Sequence, residues 1–215
     1  MALGKEEIVR ATRCPYARLA DYETVTLRSP RGFWRAAARL RLFSLRNEAH
    51  GSTAMLAIVS AHVYGGTLDG LASLLHCLLL CANTGSCNRL SLYTGIDTTS
   101  WRLPINGAHF FTIVVSEHYT SSHPRYVRSG AVFLMQPELL FSSVGISSGA
   151  GRQRQTAAAQ RSFLEGGTRY FAHHTIGTPK ALRFILDEQG AGIRWWETDP
   201  WFWLPGSLQT RKSSF

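Results

Sequence analysis

Two histidines, His118 and His123, stand five residues apart in one dense polar segment of the sequence. The same segment supplies a carboxylate and two hydroxyl groups, at Glu117, Ser121 and Ser122. A histidine in such a segment can bind haem iron, act as a general base or simply hydrogen-bond within a loop. These residue types are consistent with a catalytic or cofactor site, and equally with a polar turn between two core strands.

Two arginines, Arg125 and Arg128, follow this polar segment. Guanidinium groups match carboxylates geometrically, so these arginines could pair with the propionates of a haem. The formal net charge of +9 agrees with an anionic partner. That partner could be a cofactor, a nucleic acid or a membrane surface, and the charge does not choose among them.

Three cysteines and a histidine suggest a zinc site as an alternative, at His76, Cys77, Cys81 and Cys87. Their spacing lacks the second close pair that zinc motifs usually have. Cysteines on a leucine-rich helix are usually small core residues. The sequence therefore favours core thiols over a zinc site.

Arginines adjoin aromatic residues at Phe33-Trp34-Arg35 and at Arg194-Trp195-Trp196. Charge combined with stacking can hold single-stranded nucleic acid. No RNP, KH or zinc-finger pattern accompanies these residues, so aromatic residues of the core are favoured. The chain also lacks the HExxH, GxSxG, GxGxxG and P-loop patterns, which are the usual signatures of hydrolases, kinases and Rossmann enzymes.

A buried strand is predicted to position the polar segment, because Phe110–Val115 is β-branched and aromatic almost throughout. A second strand is predicted from Arg125 to Phe133. A third is predicted from Met55 to Tyr64, before a turn at Gly65-Gly66.

Helices are predicted where apolar residues recur at helical spacing. Leu68–Cys81 carries leucines on one face behind the capping residue Thr67. Ser29–Arg46 reads as an amphipathic basic helix, or as a helix that breaks into a strand. A further helix is predicted to begin at Pro179 and to end at Gly190.

Strands and helices are interspersed, which predicts an α+β (mixed α/β) fold with a central sheet flanked by helices. The 215 residues fit a single domain, with an N-terminal lead over 1–28 and a tryptophan-rich tail over 194–215. The most apolar run is shorter than the roughly 20 residues that a membrane span needs, and no secretory signal is recognisable at the amino terminus. We therefore expect a soluble cytoplasmic protein with free thiols and no membrane partner.

Read in order along the chain, several short motifs resemble the YqcI/YcgG family. They are Arg13-Cys14-Pro15-Tyr16, Ala57-Ile58-Val59, Leu71–His76, His118–Arg125, Ala131-Val132-Phe133 and Asp199–Pro205. The family pattern has proline, arginine, asparagine and cysteine where this chain has Tyr119, His123, Leu134 and Leu204. The resemblance extends along nearly the whole chain, and the departures bear on the expected activity rather than on the expected fold.

The resemblance implies a haem-dependent oxygenase of secondary metabolism that hydroxylates a nitrogen of an amino acid, amine or guanidine, using dioxygen or peroxide with a possible reductase. It makes His118 the axial ligand, with His76 as the second choice. An amine or guanidine could meet Glu117, and Ser121 and Ser122 could bind an oxygen ligand or a propionate. Two rivals stay open, a haem-binding relative without catalysis and a non-catalytic basic module that binds nucleic acid.

Overall fold

A five-stranded mixed sheet forms the centre of the fold in the computed structural model, which describes residues 6, 21–50, 53–83, 86–143, 149–167 and 177–200. Its strands are β1 (Asp21–Leu27), β2 (Thr53–Val59), β3 (Leu103–Ile105), β4 (Ala108–Ser116) and β5 (Ala131–Pro137). Their order is β1-β2-β5-β4-β3, with β1 and β2 parallel and every other neighbouring pair antiparallel.

This order brings four chain segments to one end of the sheet. The strands β1, β2 and β4 finish there at Leu27, Val59 and Ser116, and β5 begins there at Ala131. We call this end the carboxyl end of the sheet. It therefore collects three loops that follow strands and one loop that precedes a strand, an arrangement in which scaffolds commonly place polar groups.

Six α-helices of the described residues join or flank these strands. They are α1 (Pro30–His50), α2 (Ala61–Tyr64), α3 (Leu68–Ala82), α4 (Ser86–Tyr93), α5 (Glu138–Ser143) and α6 (Gly149–Glu165). Ser29 caps α1 by accepting a hydrogen bond from the Gly32 amide, and Thr67 caps α3 by accepting one from Gly70. None of these helices is both long and apolar enough to cross a membrane.

The five-stranded mixed sheet and its helices confirm the α+β prediction, and buried side chains lie on both faces of the sheet. One face packs against α1 and α3 in a large cluster that runs from Leu27 to Trp195. The other face carries a smaller cluster that includes Leu56, Val115 and Leu134. Side chains from both ends of the described chain thus share one core.

Both predicted terminal segments contribute to that core. The lead over 1–28 contains β1, and the tail over 194–215 contains the fully buried Trp195. The predicted motif at 13–16 and the closing tryptophan-rich stretch at 201–205 lie outside the described residues.

Two of the predicted strands have different bounds in the structure. The strand predicted over Met55–Tyr64 stops at Val59, and its last four residues form α2. The amino-acid composition did not indicate this change from strand to helix, because α2 also buries apolar side chains, those of Val63 and Tyr64. The strand predicted from Arg125 begins only at Ala131, since residues 125–130 form a loop that touches β4 through one isolated bridge.

The helix predicted to begin at Pro179 is wrong beyond its first turn. Only Lys180–Arg183 is helical, as one 3-10 turn. The carbonyls that a longer helix would use accept hydrogen bonds elsewhere: the Phe184 oxygen from the Val114 amide at 3.0 Å and the Ile185 oxygen from the Ile193 amide at 2.9 Å. By contrast, α1 is helical throughout, so it does not break into a strand.

Candidate functional site

His118 lies in the loop that follows β4, at the carboxyl end of the sheet, with its side chain exposed. Its Nδ1 atom is 2.8 Å from the carbonyl oxygen of Gly66. A carbonyl oxygen only accepts, so Nδ1 must carry the proton. In its neutral form this ring presents the lone pair of Nε2, to which no described residue donates.

The Ser116 hydroxyl connects this loop to α2. Its Oγ accepts a hydrogen bond from the His118 amide at 3.1 Å and lies 3.3 Å from the Tyr64 hydroxyl. The Tyr64 hydroxyl donates in turn to Glu117 Oε1, also at 3.3 Å. Burial raises the pKa of Tyr64, so the phenol stays protonated and remains a donor to the carboxylate.

The main chain of Glu117 is fixed by the loop that precedes β5. Its amide donates to the Gly130 carbonyl oxygen at 2.8 Å. Gly130 has a φ of +68°, and a Cβ at this position would lie 2.5 Å from the Val59 carbonyl oxygen. A glycine is therefore required where three segments of the carboxyl end converge on Glu117.

The predicted serines, Ser121 and Ser122, are exposed at the tip of the loop. The loop is held by Glu188, whose carboxylate accepts from the Thr120 amide at 2.9 Å and from the Thr120 hydroxyl at 3.1 Å. Ser122 Oγ lies 3.3 Å from Thr120 Oγ1. The two serines therefore face solvent, and Ser122 contacts Thr120, which Glu188 holds in place.

His123 is buried and makes hydrogen bonds through both ring nitrogens. Its Nδ1 accepts from the Arg125 amide at 3.1 Å, so Nε2 carries the proton and donates to the Asp187 carbonyl oxygen at 3.2 Å. Burial lowers the pKa of His123 to about 4. This histidine is a neutral structural residue with no lone pair left for a metal.

Arg125 is predicted to meet an anionic ligand, and the structure gives two of its nitrogens other partners. Nη1 donates to the Phe184 carbonyl oxygen at 2.7 Å, and Nη2 donates to that of Arg183. Burial lowers the pKa of this guanidinium to about 10. Arg125 therefore ties the loop to the 180–186 segment, while Arg128 is exposed.

His76 belongs to a separate cluster on α3. Its Nδ1 lies 3.0 Å from the Thr198 carbonyl oxygen and its Nε2 lies 2.6 Å from the Tyr93 hydroxyl. The Trp195 ring packs edge-on against it, and burial lowers its pKa. Both nitrogens are engaged, so the geometry favours a hydrogen-bonded core residue over an axial ligand.

The cysteine cluster shows two free thiols, Cys77 and Cys81, one turn apart on α3. The hydrogen bond with Cys81 and burial raise the pKa of Cys77, as expected for a core thiol. The described residues contain no group of three histidine, cysteine or acidic side chains that could hold a metal ion. The side chain of Cys87 lies outside the described residues.

Sequence reasoning missed three partners of the site: Tyr64, Gly66 and Gly130. The Gly65-Gly66 pair predicts a turn, but nothing in the sequence says that its carbonyl will receive His118. Comparison with known proteins adds no relative: no protein family, curated protein or solved structure matches the chain. The resemblance described above therefore rests on the residue pattern alone.

The groups around His118 match part of what a haem site needs. The exposed His118 imidazole fits an axial ligand, because its Nδ1–H is bound by a carbonyl and its Nε2 is open. The Glu117 carboxylate beside it in sequence fits a cationic substrate nitrogen. The fit is confined to these two groups. Segment 117–128 contains none of the large apolar side chains that are exposed in the described part of the chain, so it offers no apolar surface for the haem ring.

Proposed function

We propose that this chain is a cytoplasmic haem-dependent oxygenase that oxidises a nitrogen of an amino acid or related amine, with His118 as the axial ligand. The observation that carries the proposal is the hydrogen bond from His118 Nδ1 to the Gly66 carbonyl. Histidines that ligate metals commonly donate their other N–H in this way, which fixes the ring and increases its basicity. The resemblance to the YqcI/YcgG family supplies the expectation of haem.

The bound haem would supply the one-electron and dioxygen chemistry. The chain's part would be to bind and orient the substrate. Glu117 would accept a hydrogen bond from the amine or guanidine, and the donor Tyr64 would keep its carboxylate in place. Arg128 is the exposed arginine that could meet a propionate. Ser121 and Ser122 would offer hydroxyls at the rim, and a reductase could supply electrons.

A haemin titration of the purified protein, followed by its absorption spectrum, tests the proposal. We expect a Soret band that saturates at one haem per chain. His118→Ala should lose the band or convert it to a weakly held form. His109→Ala is the matched control, because His109 is also exposed and belongs to the strand that leads into the loop. A colourless protein, or equal spectra in both variants, would contradict the proposal.

Catalysis is tested separately from haem binding. If the loaded wild-type protein consumes arginine or a related amine with a reductant and dioxygen, Glu117→Gln should raise KM for the cationic substrate while the Soret band stays unchanged. A normal Soret band without turnover on any amine would instead identify a haem-binding relative that lacks catalysis.

A further inference from the structure

The outward face of α1 carries a stripe of apolar side chains. Trp34, Ala38, Leu42 and Leu45 follow one another at intervals of four, four and three residues, which places them on one side of a helix. Trp34, Leu42 and Leu45 are 39%, 53% and 49% exposed. Surface helices normally turn polar residues outward, so three large apolar side chains in one line indicate a partner.

The opposite face of α1 is already occupied. Its buried side chains pack into the main core, and they include Phe33, Ala36, Ala37, Leu40 and Phe43. The helix therefore cannot rotate to bury the stripe without exposing that core. The stripe is a fixed external feature of the folded chain.

Arginines border the stripe on both sides. At about 100° per residue, Arg35, Arg39 and Arg46 lie along one flank and Arg41 along the other. Glu23 of β1 binds Arg39 at 3.0 Å and approaches Arg46 at 3.9 Å, which leaves both side chains more than half exposed. Among the side chains of α1 that the structure describes, residues 32–46, four are arginines and none is acidic, so this part of the surface is strongly positive.

Charge and shape restrict the partner. A second copy of the chain would bring like charges together, which disfavours self-association through this face. Nucleic acid would use the arginines and Trp34, but it offers Leu42 and Leu45 only a polar sugar-phosphate backbone. The stripe also runs along the crest of one helix, whereas a peptide helix usually binds in a groove.

We propose that the outward face of α1 binds the surface of an anionic phospholipid membrane, a proposal that replaces the expectation of no membrane partner drawn from the sequence. Trp34, Leu42 and Leu45 enter the boundary between headgroups and acyl chains, where tryptophan and leucine are favoured. The flanking arginines extend to the lipid phosphates. The net charge of +9 attracts the chain to such a surface from a distance. The inference does not depend on haem.

Sedimentation with vesicles tests this inference on the full-length chain. We expect the protein to pellet with vesicles of phosphatidylcholine mixed with phosphatidylserine, but not with phosphatidylcholine alone, and to be released by salt. Arg35→Glu and Arg41→Glu should each weaken binding on the order of fivefold or more. Leu42→Asp should weaken it by at least a similar factor. Leu90→Asp on α4 is the control, because Leu90 is 70% exposed but lies outside the stripe.

The alternatives give different results. Equal pelleting with both vesicles, no pelleting, or unchanged binding by Leu42→Asp would overturn the inference. A labelled single-stranded oligonucleotide provides the second probe. Suppose that Arg35→Glu abolishes oligonucleotide binding, that Leu42→Asp does not, and that the protein binds vesicles only weakly. The surface then binds nucleic acid and the lipid inference is wrong. Far-UV circular dichroism of each variant verifies that the total helix content is unchanged.

Discussion

The imidazole of His123 lies flat against the phenol ring of Tyr119, with ring centroids 4.0 Å apart and planes inclined by 8°. These are two of the positions at which the chain departs from the family pattern, and they contact each other. The Tyr119 hydroxyl donates to the Leu186 carbonyl oxygen, and the His123 ring donates to the next carbonyl, that of Asp187. The two departures therefore form one structural unit that fastens the loop after β4 to the 186–188 segment.

Tyr119→Phe should destabilise the protein. The substitution keeps the stacked ring but removes the donor to Leu186, which leaves a buried carbonyl without its 2.8 Å partner. We expect a loss of about 1–2 kcal/mol in the free energy of unfolding, measured by urea denaturation. Tyr126→Phe is the control, because no described hydrogen bond involves its hydroxyl. Equal losses of unfolding free energy in the two variants would show that the hydrogen bond to Leu186 does not contribute to stability.

Stability should fall as the pH decreases from 6.5 towards 4, in part because of His123. Burial lowers the pKa of His123 from 6.5 to about 4. Over that interval the unfolded chain takes up a proton and the folded chain does not, so acid favours unfolding. Above pH 6.5 both states are neutral and the effect vanishes.

The substitution His123→Gln isolates this contribution. We expect the urea midpoint of the variant to decrease less than that of the wild type between pH 6.5 and 4. His76, whose pKa is also lowered by burial, should supply part of the remaining slope. Gln189→Ala, which removes an exposed side chain that does not titrate, should retain the full wild-type slope. A variant His123→Gln with that same slope would contradict the assignment.

Much of the fold follows from local sequence. The strand FFTIVV and the helix over Leu68–Cys81 agree with their predicted bounds to within two residues, because each has a single clear pattern, a β-branched and aromatic run in the strand and helical spacing of leucines in the helix. The helix predicted from Pro179 is wrong because tertiary contacts determine the backbone conformation there. After Arg183 the backbone pairs with β4 and with its own returning chain, so a sequence of good helix formers remains extended or turned.

The candidate site was predictable in its position but not in its roles. A polar segment after a core strand indicates a functional loop, and His118 does lie exposed at the carboxyl end of the sheet. Sequence cannot show that the backbone carbonyls of residues 183 and 184 will bind Arg125. Nor can it show that His123 will use both ring nitrogens internally. Those assignments depend on the 183–188 segment, about 60 residues further along the chain.

Arg125 should matter more for stability than for cofactor binding. Arg125→Met removes both guanidinium donors from the backbone carbonyls of Phe184 and Arg183, which we expect to cost about 2–4 kcal/mol in the free energy of unfolding. Arg125→Lys should recover only part of this loss, because one ammonium group cannot reproduce the two-pronged geometry. Urea denaturation at neutral pH measures both effects.

Arg128 provides the matched arginine for that comparison. Arg128→Met changes an exposed side chain and should alter the free energy of unfolding by less than about 0.5 kcal/mol. If the proposed haem binds, its retention should instead fall in Arg128→Glu, when samples are compared at equal folded fraction. A large loss of stability in Arg128→Met would contradict this division of roles.

The glycine that positions Glu117 offers the most controlled test of the site's architecture. Gly130 and Gly167 share a φ of +68°, so an alanine pays the same left-handed backbone penalty of about 1 kcal/mol at either position. A Cβ at Gly167 would meet no atom within 4 Å, whereas one at Gly130 would lie 2.5 Å from the Val59 carbonyl oxygen. Gly130→Ala should therefore lose a further 1–3 kcal/mol or so in the free energy of unfolding, measured by urea denaturation. Because Gly130 also accepts the Glu117 amide, the displaced backbone should weaken the proposed binding of a cationic amine, and Gly167→Ala should not. Equal destabilisation by the two alanines would mean that β2 and the loop before β5 are not packed as tightly as the structure indicates.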